Sequence, residues 1–190
     1  MVVQDLTVSK HLQFPTIDKV VEKLKLNLYP GGTSGYYGEI YKAPECIGKQ
    51  YLPAGFKAEK YSLSSTIYYL LPENHILKFH ATTANKQFHH YLGGAMQIIM
   101  LHPNGTLEKV ILGKEILANQ VLHLKIPANT YVAASIQLTK EQGIQQQSIQ
   151  YSLIGCTTSP SWEVEDCIRA TTQELMEKFP QHEELIRQFT

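Results

Sequence analysis

A chain of 190 residues with 43% hydrophobic and only 18% charged side chains has the apolar material for a real core and is not the depleted, charged kind that stays disordered. Its 17 Lys and Arg balance 17 Asp and Glu, so no global basic field recruits nucleic acid. No apolar run approaches the ~18 residues of a bilayer span, and MVVQDLTVSK at the start lacks the apolar stretch of a secretory signal, so a cytoplasmic protein without membrane or nucleic-acid partners is expected.

Residues 1–13 read as an N-terminal extension. In IDKVVEKLKLN the residues Ile17, Val20, Val21, Leu24 and Leu28 recur at helical spacing, with Thr16 as the N-cap. Pro30-Gly31-Gly32-Thr33-Ser34-Gly35 breaks that helix. Nine short β-rich runs follow: 36–43, 64–71, 75–80, 87–92, 96–101, 107–112, 121–127, 130–136 and 148–157. Asn104-Gly105 between apolar runs is the strongest hairpin signal, and the polar EQGIQQQ at 141–147 is expected at a hairpin tip. Strands in series without interleaved helices predict an antiparallel sandwich or barrel, mainly all-β. Thr171 and Glu174 form a capping box that opens a helical tail, whose stripe of Leu175, Phe179, Leu185, Ile186 and Phe189 is broken at Pro180. Nothing linker-like interrupts 14–190, which is expected to be a single domain. Cys46, Cys156 and Cys167 are odd in number and form no CxxC, so they read as buried or part-buried thiols rather than a disulfide framework or zinc site.

The segments SGYYGEIYKAP, STIYYLLP, KFHATTANKQFHHYLGG, LHPNGTLEKVILG, IPANTYVAA and YSLIGCTTSPSWEVEDC, in this order, resemble the cupin 5 family, also known as domain of unknown function 985. The likeness runs from about Phe14 to Thr190. It implies a double-stranded β-helix, or jelly roll, around a central cavity, and a homodimer. It implies no activity, because structurally similar cupins include metal-dependent oxygenases, metal-free sugar epimerases and storage proteins.

Metal-binding cupins keep three imidazoles and a carboxylate on facing strands. Laid on that pattern, His80 takes the first histidine position, Thr82 the second, Lys86 the glutamate and Val132 the histidine of the later motif. An ammonium where a cation needs an anion argues against a metal, and no cofactor is expected. His89 and His90 are strand neighbours on opposite faces and cannot both ligate one ion without a bulge.

Two classes of function remain open, with a metal-dependent cupin enzyme as a third. In the first, the cavity binds a small polar ligand, carbohydrate-like or sugar-nucleotide-like, with no chemistry, using His90, Phe88, Tyr131 and Tyr37. In the second, a metal-free epimerase or isomerase uses His80 as general base and Lys86 as enolate stabiliser. Tyr68, Tyr69 or Tyr131 would then return the proton, and Glu39 would orient the histidine. Such a site requires His80, Lys86 and a tyrosine hydroxyl to meet in one cavity. The competing expectation is that His80 and His90 are hydrogen-bonded core residues, that Lys86 turns outward, and that the eleven tyrosines fill core and dimer face.

Overall fold

Each expected β run appears as a strand in the computed structural model, which describes residues 14–29, 35–137 and 150–190. The expected extension at 1–13, most of the break at 30–34 and the hairpin tip at 141–147 lie outside those residues. Helix α1 (Ile17–Leu24) is shorter than its apolar pattern predicts. Lys25 turns left-handed at φ 52, its N–H bonds the Glu22 carbonyl, and Asn27–Leu28 leave as strand β1. Thr16 occupies the N-cap, but its side chain makes no capping bond.

The strands continue as β2 (Tyr36–Lys42), β3 (Cys46–Gly48), β4 (Lys60–Ser62), β5 (Ser65–Pro72), β6 (Ile76–Thr82), β7 (Asn85–Gly93) and β8 (Met96–Leu101). After them come β9 (Leu107–Leu112), β10 (His123–Ile126), β11 (Tyr131–Ile136), β12 (Tyr151–Ser159) and β13 (Cys167–Arg169). One antiparallel sheet has the order β1-β2-β5-β12-β7-β10 and the other β13-β6-β11-β8-β9, with β3-β4 as a separate ribbon. The non-consecutive neighbours and antiparallel pairing give the jelly roll. β1, β3, β4 and β13 are too short to show alternation, which is why sequence pattern did not reveal them.

Turn chemistry fixes the corners. Gly105, at φ +88, closes the β8–β9 hairpin where Asn104-Gly105 predicted it. Asn129, at φ 61, holds the β10–β11 turn; its N–H bonds the Thr82 carbonyl at 2.8 Å, while the Asn85 side chain accepts from the Ala128 N–H at 3.0 Å. These two bonds pin the strand ends that carry Thr82 and Lys86.

Three apolar layers stabilise the sheets. Between them lie Leu71, Met96, Ile98, Leu112, Val132 and Ile154, each fully buried. Behind the five-stranded sheet, Phe79, Ile99 and Ala133 meet α2 (Thr172–Lys178) and α3 (Glu183–Gln188) through Leu175, Phe179, Ile186 and Phe189. The capping box is present, with Thr171 and Glu174 bonded reciprocally. Helix α1 covers the back of the six-stranded sheet through Val20, against Leu70, Tyr151 and Leu153. Each fully buried side chain of this size contributes roughly 1.5–3 kcal/mol. No helix of the described residues is long and apolar enough to cross a membrane.

Candidate functional site

Inward-facing residues run along each strand, yet at one end of the sandwich they do not meet. A cavity of about 230 Å³ opens there. Tyr37, Glu39 and Lys42 of β2 and Ser65, Ile67 and Tyr69 of β5 form one wall, with Cys156 and Thr158 of β12 beside them. Leu77, His80 and Thr82 of β6 face Lys86 and Phe88 of β7, and Tyr29, Trp162 and Glu163 complete the lining. Glu39 and Lys42 are exposed, and Lys42 Nζ pairs with Glu163 at 3.0 Å, so these residues mark the mouth. Lys86 is only 3% exposed and marks the floor.

Lys86 Nζ lies 3.1 Å from His80 Nε2, and His80 Nδ1 lies 3.0 Å from the Lys78 carbonyl. A carbonyl only accepts, so Nδ1 carries the proton and donates; Nε2 is left as the acceptor for the Lys86 ammonium. Burial first, and the Lys86 charge second, hold the His80 imidazolium far below its usual range, against the pull of the Lys78 carbonyl. Burial also brings Lys86 down from 10.5 to about 8. Burial pushes the Cys156 thiol up to about 11, so it stays protonated at neutral pH. Among the described residues Lys86 forms no ion pair with a carboxylate. The floor is therefore an ammonium that donates to a neutral imidazole, with a neutral thiol nearby.

The four positions that hold metal in other cupins are brought together here. His80, Thr82 and Lys86 share the cavity, and Val132, fully buried, sits opposite His80 in the β11–β6 register. The donor set does not fit a metal ion. The one imidazole directs its lone pair at an ammonium, the hydroxyl of Thr82 donates to the Ala84 carbonyl at 2.9 Å, and valine ligates nothing. Among the described residues no three His, Cys, Asp or Glu side chains converge as ligands.

The family described as "Cupin superfamily (DUF985)" matches residues 18–169, most of the chain. The chain belongs to this cupin family. Two solved structures share its fold over nearly their whole length. A hypothetical protein from Leishmania major is 21% identical, with a TM-score of 0.78 over 93% of this chain and 99% of that one. A protein from Shewanella oneidensis, solved by X-ray crystallography, is 22% identical, with a TM-score of 0.75 over 93% and 98%. No curated protein matches the chain.

Of the residues singled out in the sequence of this cupin, His80, Lys86, Glu39, Tyr37 and Phe88 line the cavity. Tyr68, Tyr131 and His90 do not. Tyr69 faces inward, so its neighbour Tyr68 faces out, where it packs edge-on against Tyr91 at 6.0 Å beside α1. Tyr131 is displaced by the same alternation: Val132 points in, and Tyr131 lies under the C-terminal helices, edge-on to Phe179 at 6.1 Å with Lys178 over its ring. His90 shares the inward parity of Lys86 and Phe88 but lies beyond the cavity, its Nε2 3.1 Å from the Gly94 carbonyl. Glu39 stands at the mouth, and the orientation expected of it falls instead to the Lys78 carbonyl, which fixes the His80 tautomer.

Lys42, Trp162 and Tyr29 line the cavity without having been singled out for it in the sequence. A register shift between Glu39 and Tyr41 lets Lys42, rather than Tyr41, follow Glu39 into the wall. Trp162 and Tyr29 approach the cavity from segments outside the main strands. Tyr29 packs edge-on to both Tyr37 and Tyr69, at 5.4 and 5.8 Å. Cys46 is exposed rather than buried, whereas Cys156 and Cys167 are part-buried.

Proposed function

We propose that this cupin binds a small polar, carbohydrate-like ligand in its cavity, and that Lys86 rather than a metal ion receives the ligand's electron-rich oxygen. One observation carries the reading: a buried ammonium at the end of a cavity, bonded to an uncharged acceptor and, among the described residues, to no carboxylate. A buried charge without a counter-ion is costly. A ligand oxygen that accepts from the free Lys86 protons offsets that cost. Aromatic faces at Tyr37, Phe88 and Trp162 suit the apolar faces of a sugar ring, and Glu39 at the mouth accepts from hydroxyls.

The test is calorimetric titration of sugars, sugar acids and sugar nucleotides into the wild type and Lys86→Met. A ligand that binds the wild type and loses at least ~10-fold in the variant, about 1.4 kcal/mol, supports the reading. Equal affinity in the variant, or no binding by any of the three classes, contradicts it.

A second reading, a metal-free isomerase with His80 as base and Lys86 stabilising an enolate, draws on the shared cavity of His80, Lys86, Tyr29, Tyr37 and Tyr69. Against it stands the engagement of His80 Nε2 by Lys86, which leaves a weak base at neutral pH. Running the keto-sugar nucleotides of the same panel in deuterated water separates the two. Exchange that is lost in His80→Asn favours the isomerase, and binding without exchange favours the binding protein.

A further inference from the structure

We propose that Lys86 is a carbonyl-reactive amine that forms an imine with an uncharged hydroxy-aldehyde or hydroxy-ketone held in the cavity. The inference rests on the reading of this cavity as a small-ligand site and adds to it a covalent step. An amine serves this chemistry when it is reachable from a cavity, shielded from bulk water, free of a carboxylate counter-ion and next to a group that can carry a proton. Among the described residues Lys86 meets each condition. It lines the cavity while 3% exposed, Ile67, Leu77 and Phe88 supply apolar walls, and its polar contact is His80 Nε2 at 3.1 Å. An imidazole there accepts a proton, whereas a carboxylate would hold the amine as ammonium.

The step balances without any oxidant or reductant. Loss of one proton to solvent leaves the Lys86 lone pair free. That pair attacks the carbonyl carbon; the C–N bond forms, the C=O π pair moves to oxygen, and His80 relays the proton from nitrogen to that oxygen. The C–O bond of the resulting carbinolamine then breaks as the nitrogen lone pair forms C=N, and the remaining N–H proton joins the departing hydroxyl to make water. Overall, amine and carbonyl become imine and water. Tyr29, raised to about 12 by burial, stays protonated in the same cavity as a hydrogen-bond donor to the departing oxygen. Burial, which brings Lys86 to about 8, leaves a usable neutral fraction near physiological pH. Neutralising Lys86 also removes one of the influences that weaken His80 as a base.

The lining selects the substrate class. Once Lys86 is the nucleophile, the remaining lysine, Lys42, is already paired with Glu163, and Glu39 adds negative charge at the mouth. Among the described residues that line this cavity, a ligand's phosphate or carboxylate meets no further cation without a carboxylate partner, whereas hydroxyls meet Glu39 and the aromatic faces.

The experiment incubates the full chain with dihydroxyacetone and sodium cyanoborohydride across pH, then maps modified lysines by peptide mass spectrometry. The expected result is modification of Lys86 at least about tenfold faster than of exposed Lys109 and Lys125, because burial lowers the Lys86 amine to about 8 and His80 stands beside it as a relay. Its rate should be half-maximal near pH 8. His80→Asn, which keeps the amine, should slow modification of Lys86 and leave Lys109 and Lys125 unchanged. Modification of Lys86 no faster than of the surface lysines overturns the proposal, and an unchanged rate in His80→Asn overturns the relay. Calorimetry with xylitol, which has no carbonyl, reads cavity binding alone. Xylitol binding without trapping removes the imine and keeps the ligand site; neither binding nor trapping removes both.

Discussion

The space between the two sheets is finished differently at its two ends, and single strands show the change. Along β5 the inward residues are Ser65, Ile67, Tyr69 and Leu71; the first three line the cavity, and Leu71 is fully buried in the core. Along β12, Thr158 and Cys156 line the cavity, and Ile154 belongs to the core. At the filled end Met96, Ile98, Leu112 and Ile154 pack without polar atoms, the arrangement that stabilises a sandwich. At the open end the same pleat presents hydroxyls, a thiol, an imidazole and an ammonium around space. The contrast teaches that stability is concentrated where the sheets touch, and that the chemistry sits where packing has been given up.

Breaking the filled end should have the larger effect. Ile98→Ala removes a fully buried side chain and is expected to lower unfolding stability by about 2–5 kcal/mol in denaturant titration, while Lys86 reactivity stays as in the wild type. A change in Lys86 reactivity in that variant would show that the two ends are not independent.

Changing the open end should act through pH. Lys86 has a folded pKa of about 8, below its unfolded 10.5, so between these values the unfolded chain binds more protons and wild-type stability rises with pH. Below about pH 8 the buried ammonium costs the full difference, on the order of 3 kcal/mol. Lys86→Met lacks this group, so the wild type should gain on the variant from pH 8 to 10.5. Parallel stability curves over that window would mean that Lys86 is hydrated rather than buried. His80 acts in the same direction at acid pH. Its folded pKa is depressed below 6.5, so stability falls as the unfolded imidazole protonates beneath that value.

Much of the fold was legible because alternation and turn residues survive in single segments. Asn104-Gly105, the Thr171–Glu174 box and the Leu175, Phe179, Ile186 and Phe189 stripe each specify local structure without knowledge of the rest. The pairing of His80 with Lys86 was legible for a different reason: both fall at positions where the cupin pattern keeps metal ligands. The tyrosines were not, because Tyr68-Tyr69 offers two candidates and only strand phase chooses between them. Phase also explains Tyr131, and the register shift near Ile40 explains why Lys42 replaces Tyr41. Trp162 and Tyr29 lie in irregular segments or at their edges, where no periodicity gives a direction. The end of α1 at Leu24 was set by pairing of Asn27 and Leu28 with Tyr37 and Tyr36, a tertiary choice that overrides helical spacing.

Lys86 is a buried amine at the floor of the cavity, bonded to a neutral imidazole and, among the described residues, to no carboxylate. Site-resolved NMR titration of its ε-carbon in the intact protein tests that most directly. A midpoint near 8 is predicted, and a midpoint at the ordinary 10.5 would contradict the account.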